Sequence, residues 1–527
     1  MVKRERSKST DGFGDVMDAD PVMARQHSPP IVPLPSPVPV PPVSPRLLPC
    51  SGPEAAQLTP LLVMKFGGSS LAGVEHLRRV AGIVRQHLPK RPVLVLSAMG
   101  RTTNDLLDAV EVALERGSVD TSKVRATHEA IFQAIGVPVP EEVSQLLAHL
   151  ERVLSGVSLL KEVSVRTRDL VLSFGERLSV RTFEDLFNKD QSASNTGNDS
   201  SSLRARAFDS WQIGMRTTSG AGSTNSAFSQ VEVLDSSYTG IASFLASLET
   251  NYSYLPVVTG YIAQDSTGSI TTLGRDGSDL TATVIGAAVR ASEVQIWKDV
   301  SGILTMDPRL VPSAKHVSVL TYEEAAELSI FGAKVVHPAA VMPAWHAKVP
   351  VCVRSSLSPD QPGTRIVAEL GGGDVRESRV VAMSSKSGIT MIVIRSTRML
   401  GQHGFLARVF QVFDKYEASV DVITTSEITV SLTLDRGFKF VDLFSLRAEL
   451  EAVATVEVRE NMALLTLISD KSHSCIVLRQ SFEVFESLGT PVEMISHGAS
   501  NVNVTFVLPA TALTQSTLRL HKVFFES

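Results

Sequence analysis

The feature that most constrains the fold is an apolar stretch, residues 62–64, that leads directly into the sequence KFGGSS at residues 65–70. The apolar stretch predicts a buried strand, and the glycine pair lets backbone N–H groups approach an anion closely. A helix after the turn would add the positive end of its dipole, and Lys65 would add a mobile charge for a phosphoryl group. The spacing of the glycines and the lysine excludes a Walker A loop. An ordinary strand-to-helix turn rich in small residues is an alternative interpretation of the same sequence.

From residue 62 to residue 367 the chain alternates apolar strands with helical periodicity. Such alternation predicts a mainly parallel sheet that is covered by helices on both faces. Ligands of such sheets bind at the carboxyl ends of the strands, where Lys65, Ser97 and Lys298 are expected. The candidate strands are residues 62–66, 93–97, 256–259, 294–297 and 349–353.

Composition narrows the class of protein. The chain has 527 residues, of which 43% are hydrophobic and 20% charged, and its formal net charge is −5. These values predict a soluble globular protein of two or three domains, without a nucleic-acid or membrane partner. The three cysteines lack metal-ligand spacing, so we expect no metal site and a reducing compartment, with the cytoplasm favoured and a plastid left open.

Two regions lie outside this alternating pattern. Residues 1–60 are rich in proline and serine and predict a disordered tail, which leaves residues 61–370 as the main domain. In the C-terminal third, the letters FQVF at 410–413 recur as FEVF at 482–485. The repeat predicts two copies of a small α+β unit, residues 380–457 and 458–527, although short apolar strings also recur by chance.

Four further motifs follow KFGGSS in a fixed order, and together the five resemble those of the aspartokinases from about Leu62 to the C-terminus. The resemblance implies an α/β amino-acid-kinase (carbamate-kinase-like) fold, a three-layer αβα sandwich followed by two α+β ACT (ferredoxin-like) domains. It also implies transfer of the γ-phosphoryl group of ATP, with Mg²⁺, to the side-chain carboxylate of L-aspartate. The four motifs are SFGER at 173–177, TLGRDGSD at 272–279, WKDVSGILTMDPR at 297–309 and FGAKVVHP at 331–338.

The resemblance also assigns roles to individual residues. Lys65 and Asp279 correspond to catalytic residues, because donor and acceptor are both anions and the site must supply positive charge. For L-aspartate, Arg275 offers a fork to a carboxylate, Glu176 a counter-charge to the amino group, and Thr103 a hydroxyl. Glu and Arg are nevertheless usually surface residues. Asp279 either orients Lys65 by charge pairing or caps a helix over 280–290.

The remaining assignments concern ATP and an effector, for which the resemblance implies lysine. Asp421 would pair with the effector's ammonium group, at an interface between repeats or between subunits of a homodimer or higher homo-oligomer joined through the ACT domains. The expected ATP contacts are Lys65, Phe66, Gly67, Gly68, Lys298, Asp299, Leu304, Arg309, Lys334 and Val335. The expected wall of the effector site is Met399, Gly404, Phe405, Leu406, Ser419 and Val420.

Two features depart from the family pattern. Asp276 stands where these enzymes commonly have glycine, and its extra negative charge beside Arg275 either points to solvent or weakens aspartate binding. Residues 188–202, rich in Ser, Asn and Asp, predict a surface insertion.

Two alternative functions remain at this stage. Acetylglutamate, glutamate 5- and uridylate kinases share the glycine-rich phosphate site but lack the C-terminal repeat and the SFGER string. A catalytically impaired amino-acid sensor would use the ACT pair alone, and the retention of Lys65, Glu176, Arg275 and Asp279 disfavours it.

Overall fold

The computed structural model describes residues 61–194, 203–219, 231–249, 252–332, 336–372, 376, 378–396, 404–434, 442–498 and 501–526. All of them belong to one compact unit, residues 54–527. The predicted tail over residues 1–60 lies outside the described residues. In the part of the chain that is described, no helix is both long and apolar enough to cross a bilayer.

The first region, to residue 367, contains the predicted strands and helices. Its strands are β1 (Leu62–Phe66), β2 (Pro92–Leu96), β3 (Arg204–Phe208), β4 (Arg216–Thr217), β5 (Tyr254–Thr259), β6 (Ile262–Asp265), β7 (Ile270–Thr272), β8 (Glu293–Lys298), β9 (Val319–Thr321), β10 (Val351–Ser355) and β11 (Thr364–Val367). Its helices are α1 (Val74–His87), α2 (Thr102–Arg116), α3 (Ser122–Ile135), α4 (Glu141–Leu160), α5 (Val165–Ser194), α6 (Ser236–Glu249), α7 (Gly277–Val289), α8 (Tyr322–Ile330) and α9 (Pro338–His346).

Eight of these strands form one sheet in the order β3-β5-β2-β1-β8-β10-β11-β9 within the described residues. The pairs are parallel except β10 with β11. The central strand β1 is buried on both faces: Met64 packs in a core with α1 to α5, and Val63 packs in a second core with α6 to α9. The predicted three-layer sandwich is therefore confirmed, and its parallel strands bring the ends of β1, β2, β5, β8 and β10 to one edge.

The predicted insertion begins differently from the expectation. Helix α5 continues through residues 188–194, and the Asn188 side chain binds both backbone groups of Ala205, at 2.7 Å to its N–H and 3.1 Å to its carbonyl oxygen. Asn188 therefore fastens the end of α5 to β3. The predicted surface insertion over residues 188–202 is therefore wrong for residues 188–194, because the hydrogen-bond partner of Asn188 lies 17 residues further along the chain, and residues 195–202 lie outside the described residues.

The second region forms a six-stranded antiparallel sheet in the order β13-β14-β12-β15-β17-β16. Its strands are β12 (Val380–Arg395), β13 (Val420–Thr425), β14 (Thr429–Leu434), β15 (Thr455–Ser469), β16 (Met494–His497) and β17 (Asn503–Pro509). Its helices are α10 (Phe405–Lys415), α11 (Leu443–Glu451), α12 (Ser474–Leu488) and α13 (Ala510–Phe525).

Two α+β units share the long strands β12 and β15. The first regulatory unit consists of α10, β13, β14 and α11 with residues 389–395 and 455–459, and Ile392 packs in its core. The second regulatory unit consists of α12, β16, β17 and α13 with residues 380–387 and 462–469, and Met383 packs in its core. The units are thus nested along the chain, whereas the predicted limits 380–457 and 458–527 made them consecutive and cut through β15.

Candidate active site

A buried carboxylate holds two lysines at the carboxyl edge of the main sheet. Lys65, near the end of β1, places its Nζ 2.6 Å from Asp279 Oδ1, and Lys298, at the end of β8, places its Nζ 3.4 Å from Oδ2. Burial pushes the pKa of Asp279 upward, but the two ammonium groups outweigh it and the pKa lies below its usual range. Asp279 therefore stays ionised and fixes two positive charges at the strand ends.

The position of Asp279 within α7 decides between its two predicted roles. Asp276 occupies the N-cap position of α7, which leaves Asp279 in the first turn, so the helix-cap interpretation is wrong. Asp276 has a φ of 54° and is exposed to solvent. A left-handed conformation favours glycine and is tolerated by Asp better than by most residues, which explains how Asp276 can replace a glycine here.

The glycine turn after β1 is bound to the ends of both neighbouring strands. Gly67 N–H donates to Trp297 O of β8 at 3.2 Å, and Gly100 N–H donates to Gly68 O at 2.9 Å. A Cβ on Gly68 would lie 2.8 Å from Ala98 O, so only glycine fits. Gly67 and Gly68 therefore keep the backbone of this turn close-packed beside Lys65.

Glu176 lies on α5 and points a carboxylate at the same edge. Its Oε1 accepts a hydrogen bond from Ala98 N–H at 3.1 Å, and its buried Oε2 has no hydrogen-bond partner among the described residues. Burial raises the pKa of Glu176 to about 8, against the lowering effects of the Ala98 N–H and of Lys65. The neighbouring Gly175 allows this approach, because a Cβ there would lie 2.8 Å from the Ala98 methyl group.

The other two predicted aspartate contacts, Thr103 and Arg275, lie where two helices begin. Thr103 is half-buried in the first turn of α2, which follows β2. Arg275 is exposed in the turn between β7 and α7, just after Gly274, whose φ is 72°. Both residues precede or begin helices at the carboxyl edge of the sheet.

Sequence reasoning missed two features of this edge. Tyr261 follows β5 with a φ of 65°, a strained conformation for a large side chain, and burial raises its pKa to about 12 with a smaller contribution from Glu176. Ser356 follows β10, and its Oγ lies 2.8 Å from Ser70 Oγ while its N–H donates to Lys298 O. Their one sequence signal was their position just after predicted strands.

The predicted ATP contacts divide into three groups. Lys65, Gly67, Gly68 and Lys298 come together, with Asp299 exposed next to Lys298 and Leu304 half-buried further along. Phe66 is fully buried and stacks on Trp297 at 5.7 Å between ring centroids, so its side chain belongs to the core. Arg309 is 85% exposed and pairs with Asp307 at 2.6 Å, whereas Lys334 and Val335 lie outside the described residues.

Comparison with known proteins identifies the family. The amino acid kinase family matches residues 60–355. Aspartokinase 1, chloroplastic, of Arabidopsis thaliana is 39% identical over 478 residues, which cover 88% of this chain and 80% of the relative. This chain belongs to the aspartokinase family. Among solved structures, aspartokinase III of E. coli matches in two states.

The two E. coli aspartokinase structures each cover 88% of this chain and 99% of their own, at 32% identity. The complex with aspartate and ADP (R-state) gives a TM-score of 0.69, and the complex with lysine and aspartate (T-state) gives 0.70. The predicted fold class is confirmed over both regions. Membership of the aspartokinase family also disfavours both alternative functions, that of another amino-acid kinase and that of a catalytically impaired amino-acid sensor.

The predicted effector residues lie at the two ends of α10 in this aspartokinase. Gly404, with a φ of 83°, and the exposed Leu406 lie at its N-terminus, and the exposed Ser419 lies past its C-terminus. The helix has 11 residues, so these ends are about 16 Å apart. Phe405 is buried in the core of the first regulatory unit, Val420 is half-buried, and Met399 lies outside the described residues.

Asp421 lies at a β-bulge in β13, between Val420 and Val422, and its Oδ2 is 3.2 Å from Lys386 Nζ. Bulges often redirect a side chain away from the regular pleat. An ammonium group of the chain itself therefore already contacts the carboxylate predicted to receive the effector. An effector ammonium would have to share this carboxylate with Lys386 or displace it.

Proposed function

We propose that this chain transfers the γ-phosphoryl group of ATP to the side-chain carboxylate of L-aspartate and gives 4-phospho-L-aspartate, the first step of lysine, threonine and methionine biosynthesis. The observation that carries the proposal is the buried Lys65–Asp279–Lys298 cluster with the Glu176 carboxylate at the same sheet edge. The E. coli relative was solved with aspartate and ADP, which supports the same substrates here.

In this mechanism the protein positions two anions and neutralises charge. Lys65 and Lys298 stabilise the phosphates, whose negative charge is otherwise a barrier to the approach of a carboxylate. The Glu176 carboxylate binds the ammonium group of aspartate through its unpartnered oxygen, and Arg275 binds the α-carboxylate as a fork. The side-chain carboxylate of aspartate is then held for direct attack on the γ-phosphorus, so no covalent enzyme intermediate is required.

Mg²⁺ is part of the nucleotide substrate in this proposal. No group of three or more His, Cys, Asp or Glu able to hold a metal occurs among the described residues. The carboxylate of Asp279 is already neutralised by two ammonium groups. Mg²⁺ commonly binds substrate phosphates and keeps several waters, so it fits as a partner of ATP rather than as a resident ion.

The activity is tested by coupled measurement of ADP release from the full chain. We expect release that depends on L-aspartate, and no release above background with N-acetylglutamate, glutamate or UMP as the acceptor. Release with one of those acceptors instead of aspartate would contradict the proposed substrate.

Replacing Arg275 with lysine is expected to raise KM for aspartate about tenfold and to leave KM for ATP within about twofold, because lysine keeps the charge but loses the fork. Steady-state kinetics with each substrate varied in turn measures this. Arg290→Lys, at the exposed C-terminal end of α7, is the control and should change neither constant. Loss of ATP binding with aspartate binding intact would mean that the two subsites are reversed.

Lysine is the effector in this proposal, and it binds between two copies of the chain. The E. coli relative was also solved with lysine and aspartate. Gly404 lies at the N-terminus of α10 and Ser419 past its C-terminus, and these helix ends are about 16 Å apart, which favours a site formed by Gly404 of one copy and Ser419 of another. Leu406, Phe410, Ile423 and Ile428 expose apolar surface on the same unit, which suits burial against a second copy in a homodimer or higher homo-oligomer.

Calorimetry on the full chain is expected to detect lysine binding at millimolar concentration, and Asp421→Ala should weaken binding and relieve inhibition while leaving uninhibited turnover nearly intact. Coupling of about 1–3 kcal/mol between effector and substrate sites would change affinity by roughly 5–150-fold. Asp414→Ala, exposed on α10, is the control. Absence of lysine binding would contradict the effector proposal, and binding unaffected by Asp421→Ala would contradict only the role of that residue.

The compartment belongs to the same proposal. The structure describes two cysteines, both free: Cys352 is buried and Cys475 is exposed. Free thiols without disulfides suit a reducing compartment, either the cytoplasm or a plastid. The Arabidopsis relative is named chloroplastic, which supports the second of these.

A further inference from the structure

The segment that joins β8 to β9, residues 299–318, is built into the second regulatory unit. We call it the nucleotide segment, because Asp299, Leu304 and Arg309 are its predicted ATP contacts. Met306 and Val311 of this segment are 3% and 1% exposed, and they share one core with Met383 of β12 and Leu520 of α13. The regulatory unit therefore forms part of the hydrophobic support of the nucleotide segment.

A chain of hydrogen bonds adds a polar connection at the centre of this contact. Thr305 O accepts from Met383 N–H at 2.7 Å, and Thr305 Oγ1 accepts from Lys315 N–H at 2.9 Å. The same hydroxyl group lies 2.9 Å from Nε2 of His521, a residue of α13 with no solvent exposure. His521 Nδ1 lies 3.0 Å from Glu526 Oε1, to which Ser313 of the nucleotide segment also donates.

The partners assign one direction to these hydrogen bonds. The Glu526 carboxylate can only accept, so His521 Nδ1 carries a proton and donates to it. In the neutral imidazole Nε2 is then the acceptor, and Thr305 O–H donates to it while the Thr305 oxygen accepts from Lys315 N–H. The imidazole thus joins Thr305 to Glu526. The Glu526 carboxylate also accepts a hydrogen bond from Ser313, which lies on the same nucleotide segment as Thr305.

A second contact points to the same unit. Ser384 Oγ of β12 donates to Phe331 O at 2.7 Å. Gly332 has a φ of 119°, and a Cβ there would lie 2.8 Å from Ser385 O, so glycine is required for this approach. These residues directly precede Lys334 in the chain, so β12 supports the start of the other stretch that is predicted to contact ATP.

We propose that His521 is a positioning residue for ATP: by holding Thr305 it fixes the backbone that carries Leu304 and Arg309. The inference rests on the proposed use of ATP and extends it to a residue of α13. It also makes α13 the route by which movement of the second regulatory unit changes nucleotide affinity. Aspartate contacts lie on α2, α5 and the β7–α7 turn, so they should not respond.

Two pairs of variants of the full chain test this role. Thr305→Val removes the hydroxyl group and Thr305→Ser keeps it, while His521→Asn removes the nitrogen that meets Thr305 and His521→Gln keeps an amide near that position. We expect Thr305→Val and His521→Asn to raise KM for ATP about tenfold, as for loss of a buried hydrogen bond, with KM for aspartate within about twofold. Thr305→Ser and His521→Gln should stay within about twofold of wild type for both substrates.

Thr466→Val is the matched control. It also deletes a buried hydroxyl group in the second regulatory unit, but the 2.8 Å hydrogen bond of Thr466 joins β15 to Thr505 of β17 rather than to the nucleotide segment. It should lower the melting temperature without raising KM for ATP. Equal changes in both KM values, or an effect of Thr466→Val as large as that of Thr305→Val, would overturn the positioning role.

Calorimetric titration with ADP keeps this test separate from the proposed reaction. If the wild-type protein binds ADP but does not convert ATP to ADP in the presence of aspartate, the proposed reaction is contradicted. The ADP affinities of the variants still decide the role of His521 in that case. If the His521 variants do not fold, the Thr305 pair gives the answer. Unchanged ADP affinity in folded Thr305→Val would contradict the inference.

Discussion

Replacing Lys65 with methionine is expected to lower kcat about 10³-fold, which is the scale of other single cations that act on a transferring phosphoryl group. Its ammonium group is fixed 2.6 Å from Asp279 at the end of β1, beside the glycine turn. Methionine keeps most of the length of the side chain and removes the charge. Because the charge acts on a group whose negative charge is redistributed in the transition state, kcat should fall more than ATP affinity.

The fold should tolerate this change, because Asp279 retains Lys298 as a partner. The melting temperature and ADP binding of the variant verify this point. Lys415→Met is the control, since Lys415 forms an exposed ion pair with Glu449 on the first regulatory unit and should leave kcat unchanged. A Lys65→Met enzyme that keeps more than about a tenth of wild-type kcat would remove Lys65 from the mechanism.

Short-range patterns predicted the elements that carry the site. The apolar run before Lys65 forms β1, and the first stretch of helical periodicity after it forms α1. Parallel pairing of β1 with β2 and β8 then brings Lys65 and Lys298 to one edge, as the strand-end rule requires. These predictions succeeded because each depends on local periodicity or on a general property of parallel sheets.

Long-range contacts explain most of the failures. Asn188 was assigned to a surface insertion because its partner Ala205 lies on another element. The nesting of the two regulatory units depends on β12 pairing with β15, a contact between residues far apart in sequence. A repeat pattern shows that two units exist but not which strands each contains, so the boundary could not be derived from it.

The site itself was predicted unevenly for the same reason. Charged residues next to glycines are a recognisable signal of a binding site, and Lys65, Glu176 and Asp279 are buried at the carboxyl edge of the main sheet. Tyr261 and Ser356 carry no such signal, because a tyrosine or serine after a strand is common in many turns. The burial of Phe66 was also missed: a residue within a binding motif can contribute through its backbone while its side chain packs in the core.

Replacing Glu176 with glutamine is expected to raise KM for aspartate about 10²-fold, the scale for removing one partner of a buried, hydrogen-bonded charge pair. Glutamine retains an oxygen for the Ala98 N–H but offers no negative charge to the ammonium group of the substrate. The KM for ATP should stay within about twofold, since the nucleotide contacts other residues.

The pH dependence provides the sharper test of Glu176. Burial raises its pKa to about 8 in the free enzyme, so the carboxyl group is protonated below that pH and must lose its proton to bind the ammonium group. The kcat/KM for aspartate should therefore rise about tenfold per pH unit up to about pH 8 and then level off. This rising limb of the pH profile should be absent in Glu176→Gln. Glu184→Gln is the matched control on α5, because Glu184 also accepts a backbone hydrogen bond, from Ala207, and burial raises its pKa too. Persistence of the limb in Glu176→Gln, or its loss in Glu184→Gln, would show that another group binds the substrate's ammonium.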